Sequence, residues 1–529
     1  MTFLVMEKHF LLQIIVSIAL ASILALIFRL YKALVVAPRL LRHALKQQGV
    51  GGPPPSFLLG NIIDIKNSRA SPAAAAAVAA AAGSPASHNC EAILFSAFNE
   101  WRQLYGDMFM FSLGNTPVLV VNKYDVIKEV ITCTSLDLVK PSFPGLDLEA
   151  LLGNGIVTAN GNSWAYQRKI LAPELFIDKV KGMTNLIEQS TLMLIESWKG
   201  LIEAEGGKAD IKIDDYLKKF SGEVISRACF GSSYAEGEQL FQKLAALQQI
   251  TAKKGFSLGI PGMRHVPTKH NRSSWRLQRD IRELILALLK QKNEENMDKN
   301  MLGMILKGAA ESNSKPSPDA ITKFTIDNCK SIYFAGFETT AIVASWCLML
   351  LASNPEWQHR VREEVVGICR RKPLDFDSLR HMKQLTMVIN ESLRLYPPVG
   401  VLAREAVKEM EFSGTRIPKG VTIWILIITL HTDPDIWGPD SYQFKPERFA
   451  NGTAGACKLP HLFMPFGFGP RICLGLNLAM LELKILVAHI LSNFSFSLSP
   501  NYVHAPAMNL VMEPGNGVRL VIQNLDAAS

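Results

Sequence analysis

The sequence predicts a membrane-anchored, mainly α-helical chain with small β elements, and three observations predict it. Residues 10–28 (FLLQIIVSIALASILALIF) carry no charge and are long enough as a helix to span the roughly 30 Å hydrocarbon core of a bilayer. Residues 317–352 and 474–490 hold helical periodicity over long stretches. Residues 108–121 (MFMFSLGNTPVLVV) are rich in β-forming side chains around a central Gly-Asn pair, which reads as a hairpin.

Composition narrows the class. Lys and Arg number 56 against 47 Asp and Glu, and hydrophobic residues make up 48%, which leans towards a membrane surface. No Lys/Arg block or basic-aromatic stripe accompanies the positive excess, so no nucleic-acid partner is expected. The eight cysteines form no C-x-x-C pair and no metal-ligand spacing, which excludes a zinc site and a disulfide scaffold and fits a reducing, cytosol-facing body.

From the N-terminus, the uncharged run is followed directly by Arg29 and Lys32 and lacks the small-residue cleavage site of a signal peptide. It reads as a retained anchor. Arg29, Lys32, Arg39, Arg42 and Lys46 lie after it and Lys8 before it, so the positive-inside rule puts the N-terminus in the lumen and the body in the cytosol. Residues 1–50 form the anchor and its basic flank. The run Gly-Gly-Pro-Pro-Pro at 51–55 then predicts a stiff, extended hinge to a body over 51–529. Within that body the Ala-rich run at 71–87 reads as a low-complexity insertion.

Further on, Trp164 and Arg168 fall one helical turn apart, so an indole N–H and a guanidinium could meet one anion. Taken alone, the pair equally fits an arginine stacked on a core tryptophan. Residues 239–282 read as two helices around a break at Gly255, Gly259, Pro261, Gly262 and Pro267. The apolar stretch 255–263 is either a second membrane contact or an ordinary buried loop. Ser317 and Pro318 start the long helix as cap and first-turn proline. In its middle stands Ala335-Gly336-Phe337-Glu338-Thr339-Thr340. Ala335 and Thr339 share a face, where Ala and Gly leave room beside a flat cofactor. Thr339 would present a hydroxyl there and Glu338 an adjacent acid, a pair able to relay protons into an apolar pocket. The plainer reading is a threonine bonded to its own helix carbonyl.

Glu391 and Arg394 lie on one helix face, and Arg448 follows downstream in FKPERF. Residues 466–475 read F-G-F-G-P-R-I-C-L-G. There Cys473 precedes the long apolar helix, so its thiol faces unpaired N–H groups and the positive dipole end, an environment that favours a thiolate. The flanking glycines allow close approach of a large flat ligand.

Phe466, Gly469, Arg471, Cys473 and Gly475 match F-x-x-G-x-R-x-C-x-G, and with A-G-x-E-T-T, E-x-x-R and W-x-x-x-R in order the chain resembles the cytochrome P450 family. The resemblance covers nearly the whole chain. It implies a mainly α fold with small β-sheets, the cytochrome P450 fold, and one b-type haem whose iron is held by Cys473. Trp164, Arg168 and Arg404 would reach haem propionates. Ala335, Gly336, Phe466, Arg471 and Gly475 would line the cofactor, and Glu338 and Thr339 would be catalytic. Glu391, Arg394 and Arg448 would form a buried triad that holds the cysteine loop. A thiolate-bound haem favours O–O cleavage and hydroxylation of unactivated C–H bonds.

No G-x-G-x-x-G lies between a strand and a helix, so the chain carries no nicotinamide or flavin domain. The resemblance therefore implies electrons from NADPH through a separate membrane-bound NADPH–cytochrome P450 reductase, whose acidic face suits a basic partner. It also implies residence in the endoplasmic reticulum membrane. A reductase-independent haem isomerase or dehydratase would use the same cysteine loop, and a haem sensor or carrier would need neither relay nor lid. The segments 143–157, 399–402 and 508–512 are largely apolar and suggest a lipophilic substrate. Residues 167–183 and the VLAREA segment resemble the plant clan that contains gibberellin oxidases. Hydroxylation of a gibberellin at carbon 13 is the expectation, with 16,17-epoxidation or oxidation of another terpenoid or hormone as alternatives.

Overall fold

The computed structural model describes residues 2–69, 88–141, 148–231, 234–254, 265–290, 301–311, 317–369 and 374–525. The Ala-rich run at 71–87, the apolar stretch 255–263 and part of the wall segment at 143–157 lie outside the described residues.

The anchor is a helix over Thr2–Tyr31 that continues through a π-helical turn, Lys32–Val36, into a second helix, Ala37–Lys46. From Phe10 to Phe28 its large apolar side chains are exposed, as a helix surrounded by lipid requires. Among the described residues two other helices are long and apolar enough to span, Pro318–Ser353 and Leu476–Asn493, but their spans are mostly buried inside the protein. They are core helices.

The predicted hinge is not free. Leu45, still on the anchor side, is fully buried, and Arg42 donates to the Pro53 carbonyl at 2.8 Å and to Ser112 Oγ at 3.2 Å. The Met110 N–H donates to the Gly51 carbonyl at 2.9 Å, and any Cβ on Gly52 would collide with the Met110 carbonyl. The run lies against a strand edge at Gly51 and Gly52 and seats the preceding helix on the body.

That edge belongs to a five-stranded sheet. Strands β1 (Met108–Leu113) and β2 (Thr116–Val121) form the predicted hairpin, in register from Met108 opposite Val121 to Leu113 opposite Thr116. After β3 (Leu138–Val139) and β4 (Lys208–Lys212), the C-terminal half adds β5 (Val401–Ala406), β6 (Met410–Phe412), β7 (Thr415–Ile417) and β8 (Thr422–Leu426). The sheet order is β1-β2-β8-β5-β3. Beyond β9 (Phe494–Leu498), β10 (Pro506–Asn509) and β11 (Val511–Pro514) make a separate hairpin, and β12 (Arg519–Asn524) lies between β4 and β9.

Everything else of weight is helical. The central helix, Pro318–Ser353, has Ser317 as its cap, with Oγ accepting from the Ala320 N–H at 3.3 Å. Its 36 residues extend about 54 Å. Residues 340–352 are buried all round, so this helix is the axis of the larger core. Two helices, Tyr234–Lys254 and Lys269–Lys290, flank the predicted break.

Candidate active site

On the central helix, burial is interrupted at one place. Residues 325–331 and 340–352 are buried, yet Ala335 is exposed and Thr339 half-buried between them. The i,i+4 face predicted from the sequence is therefore the face at which this otherwise buried stretch of helix is accessible. Thr339 Oγ1 donates to the Ala335 carbonyl at 2.6 Å, the helix-internal bond, which leaves its lone pairs for a donor at that opening. Gly336 differs from expectation. A Cβ there would meet Ile225 Cδ1 at 2.5 Å, so its missing side chain makes room for the helix Asp214–Ile225 rather than for a cofactor. Glu338 also turns that way: it is buried, and its Oε1 accepts from Lys218 Nζ at 2.9 Å. Burial disfavours the Lys218 ammonium, but Glu338, Glu513 and Asp214 outweigh it and raise its pKa.

Cys473 ends a loop closed by its own N–H, which donates to the Phe466 carbonyl at 2.8 Å. Gly469 has φ +67°, and a Cβ on it would collide with the Ile131 carbonyl. This glycine serves protein packing, where close approach to a ligand was the expectation. The next helix starts at Leu476, with Gly475 as its cap residue. The helix terminus does lower the thiol pKa through the Gly475 and Leu476 N–H groups, and Arg168 helps, but burial is the larger effect and pushes the Cys473 thiol up. The expected lowering by the helix terminus is present, but burial outweighs it. Though packed about by protein, Cys473 keeps accessible surface.

Around this loop, cations gather without acids. Trp164 and Arg168 lie on the helix Gly161–Leu171. The Arg168 guanidinium carbon is 5.9 Å from the indole centroid and that of Arg471 is 4.1 Å from it. Arg168 Nη1 donates to the Ile472 carbonyl at 2.8 Å, and Arg471 Nη2 to Leu138 at 3.4 Å. Arg404 on β5 donates to the Ala403 carbonyl at 2.8 Å. Burial and the neighbouring Arg471 bring its pKa down to about 10. Lys140, which the sequence reading missed, donates to the Ile156 and Val157 carbonyls at 2.9 and 2.6 Å. Burial and then Arg471, Arg404 and Arg168 lower its pKa to about 7. A lysine before a proline was too weak a local signal to reveal it.

Among the described residues none of these four cations pairs with a carboxylate, and Arg471 Nη1 is buried without a partner. Buried like charges are costly unless an anion joins them. A cysteine thiol, an indole and four cations gathered in one place suit a planar metal cofactor with carboxylate arms, and haem has that shape.

The predicted triad is present. Arg394 and Glu391 are fully buried and joined by two bonds of 2.7 Å. Arg448 Nε lies 3.6 Å from Glu391, with a closer contact of 2.6 Å to Asp440. The expected substrate walls meet: Gly400 leaves room for Met508, and the Met512 N–H donates to the Pro398 carbonyl at 2.8 Å.

Comparison with known proteins agrees. A family model described as Cytochrome P450 matches residues 86–519. Cytochrome P450 714C2 of Oryza sativa subsp. japonica is 48% identical over 94% of this chain and 95% of its own length. Cytochrome P450 714B2 of the same plant is 43% identical over 98% and 97%. Cytochrome P450 714A2 of Arabidopsis thaliana is 39% identical over 95% and 96%. The apolar N-terminal helix fits a membrane-anchored member. The chain belongs to the cytochrome P450 family, haem-thiolate monooxygenases that take electrons through a redox partner and act on lipophilic substrates.

Proposed function

We propose that this monooxygenase hydroxylates a gibberellin diterpenoid, at carbon 13, with Cys473 as the iron ligand and with Glu338 and Thr339 as proton carriers. Haem held by a thiolate supplies the activation of dioxygen and the insertion of one oxygen atom into an unactivated C–H bond. The observation that carries the assignment of residues is the single opening in the buried central helix at Ala335 and Thr339, with the acid Glu338 buried beside it.

The chain's own residues have separable tasks. Arg168, Arg404, Arg471 and Lys140 would hold the carboxylate arms and so orient the ring. Phe466 and Gly475 bracket Cys473 in the loop that aims its sulfur. Thr339 would accept a hydrogen bond from a water and, by turning its own O–H away from the Ala335 carbonyl, would pass a proton inward. Glu338 takes up a proton from water as it leaves Lys218 and delivers it to the Thr339 side of the helix. The move strands no charge, because Lys218 keeps Asp214 and Glu513 as neighbours. Val399, Gly400 and Met508 exclude water from the substrate side.

The chain's formal charge of +9 suits an acidic electron donor, and the membrane-bound NADPH–cytochrome P450 reductase is the partner proposed. The basic residues after the apolar helix support an orientation with the N-terminus in the lumen and the body in the cytosol, and the membrane proposed is that of the endoplasmic reticulum. For the gibberellin assignment, the support is the likeness of residues 167–183 and VLAREA to the clan containing gibberellin oxidases.

The test is expression in microsomes with reductase and NADPH, a panel of gibberellin precursors, and product identification by mass spectrometry. A 13-hydroxylated product that disappears in Cys473→Ala is expected. A 16,17-epoxide would move the regiochemistry. No gibberellin turnover from a protein with an intact thiolate-type carbon monoxide band would overturn the substrate.

A further inference from the structure

His431 belongs to no motif above. It lies on the short helix Ile427–Thr432 and is fully buried. Its Nε2 accepts from the Met464 N–H at 3.0 Å, and its Nδ1 donates to the Arg394 carbonyl at 3.2 Å. Arg394 Nη1 returns a bond to the His431 carbonyl at 2.7 Å. These partners fix one neutral tautomer, because a proton on Nε2 would point at the Met464 N–H. The rings of Phe463 and Trp437 lie against the imidazole with centroids at 5.4 and 6.4 Å. The charged group facing it is Arg394, with Glu391 behind. Burial and Arg394 hold its pKa down to about 3.

Met464 is where the cysteine loop begins to be fixed. It is fully buried, its carbonyl accepts from the Gly467 N–H at 2.9 Å, and the Phe466 carbonyl accepts from Cys473. One imidazole therefore joins the immobile Glu391–Arg394 pair to the first turn of the loop that ends at the sulfur. We propose that His431 is a positioning residue for Cys473, carrying the fixed position of Arg394 through the Met464 N–H to the thiolate. This rests on the reading of Cys473 as iron ligand.

The geometry discriminates between substitutions. The amide oxygen of Gln reaches where Nε2 sits and can accept from Met464. The shorter Asn replaces Nδ1 only, and Leu replaces neither. The full-length, haem-loaded chain is reduced under carbon monoxide, and the thiolate-type band is compared with the band of protein that has lost thiolate ligation, from neutral to acid pH. Circular dichroism melting runs in parallel.

Wild type and His431→Gln are expected to keep the thiolate band. His431→Asn and His431→Leu are expected to lose most of it at neutral pH, or to lose it at least a pH unit closer to neutrality. His431→Gln and His431→Asn should melt together. If Asn holds the band as well as Gln, or if band loss merely tracks melting across the variants, the imidazole is core packing and the proposal is wrong. If Leu does not fold, the Gln and Asn pair decides. Cys473→Ala separates the two readings: a thiolate band that persists there refutes the ligand assignment, and the proposal with it, whatever the His431 variants show.

Discussion

Two arginine clusters in this protein use the same side chain for opposite ends. Arg394 spends its donors inside the fold, on Glu391 and on the carbonyls of His431, Ser441 and Gln443. Arg168, Arg404, Arg471 and Lys140 give theirs to a few backbone carbonyls, repel one another, and leave a buried Arg471 N–H without a partner. A saturated guanidinium holds chain segments together. An unsaturated group of like charges marks where an anion belongs, because its charge is neutralised only when a ligand brings carboxylates. The comparison separates structure from site without reference to any motif.

The largest effect expected is at the sulfur between these clusters. Cys473→Ala should abolish the thiolate-type carbon monoxide band and reduce turnover to background, read by difference spectroscopy and product analysis.

Next comes the contrast itself. Arg394→Leu leaves Glu391 charged and buried, and should cost about 3–5 kcal/mol of stability with or without haem, measured by denaturant unfolding. Arg404→Leu should leave the haem-free chain as stable as wild type or more so, while haem loss to a scavenging apoprotein speeds up roughly 10- to 100-fold, the worth of one charge-assisted bond. Equal destabilisation of the haem-free chain by both would dissolve the distinction.

Thr339→Ala tests the distal side. Substrate-induced spectral shifts should persist while product per NADPH falls about 10-fold or more and peroxide appears in its place.

The smallest effect is a pH dependence. Lys140 has a folded pKa lowered to about 7, below its unfolded value. Between about pH 7 and pH 10 the unfolded chain thus binds more protons, and haem-free stability should rise with pH across that window. Haem carboxylates favour the charged lysine, so binding takes up a proton there and haem affinity should fall as pH rises above about 7. Lys140→Met should flatten both profiles, measured by unfolding and by haem titration.

What the sequence could tell follows from distance along the chain. The cysteine loop, the Ala335–Thr340 stretch and the Glu391–Arg394 pair are local, and their spacing alone places them on one face or one turn. The hairpin at 108–121 and the cap at Ser317 were legible for the same reason. Lys218 reaches Glu338 across 120 positions, and His431 reaches Met464 across 33. No local pattern announces either. Gly336 and Gly469 were read as room for a cofactor, but their neighbours are Ile225 and Ile131, which only tertiary packing brings near. The hinge at 51–55 was misjudged because nothing in a proline run tells that the Met110 N–H is waiting for the Gly51 carbonyl.

The central claim is that the four unsaturated cations form the seat for the carboxylate arms of haem. The most direct measurement is the affinity of the haem-free, full-length chain for haem and for its dimethyl ester, which lacks those charges. The account predicts that esterification weakens binding by about 100-fold in wild type and by far less in Arg404→Leu. Equal affinities of wild type for haem and ester would contradict it.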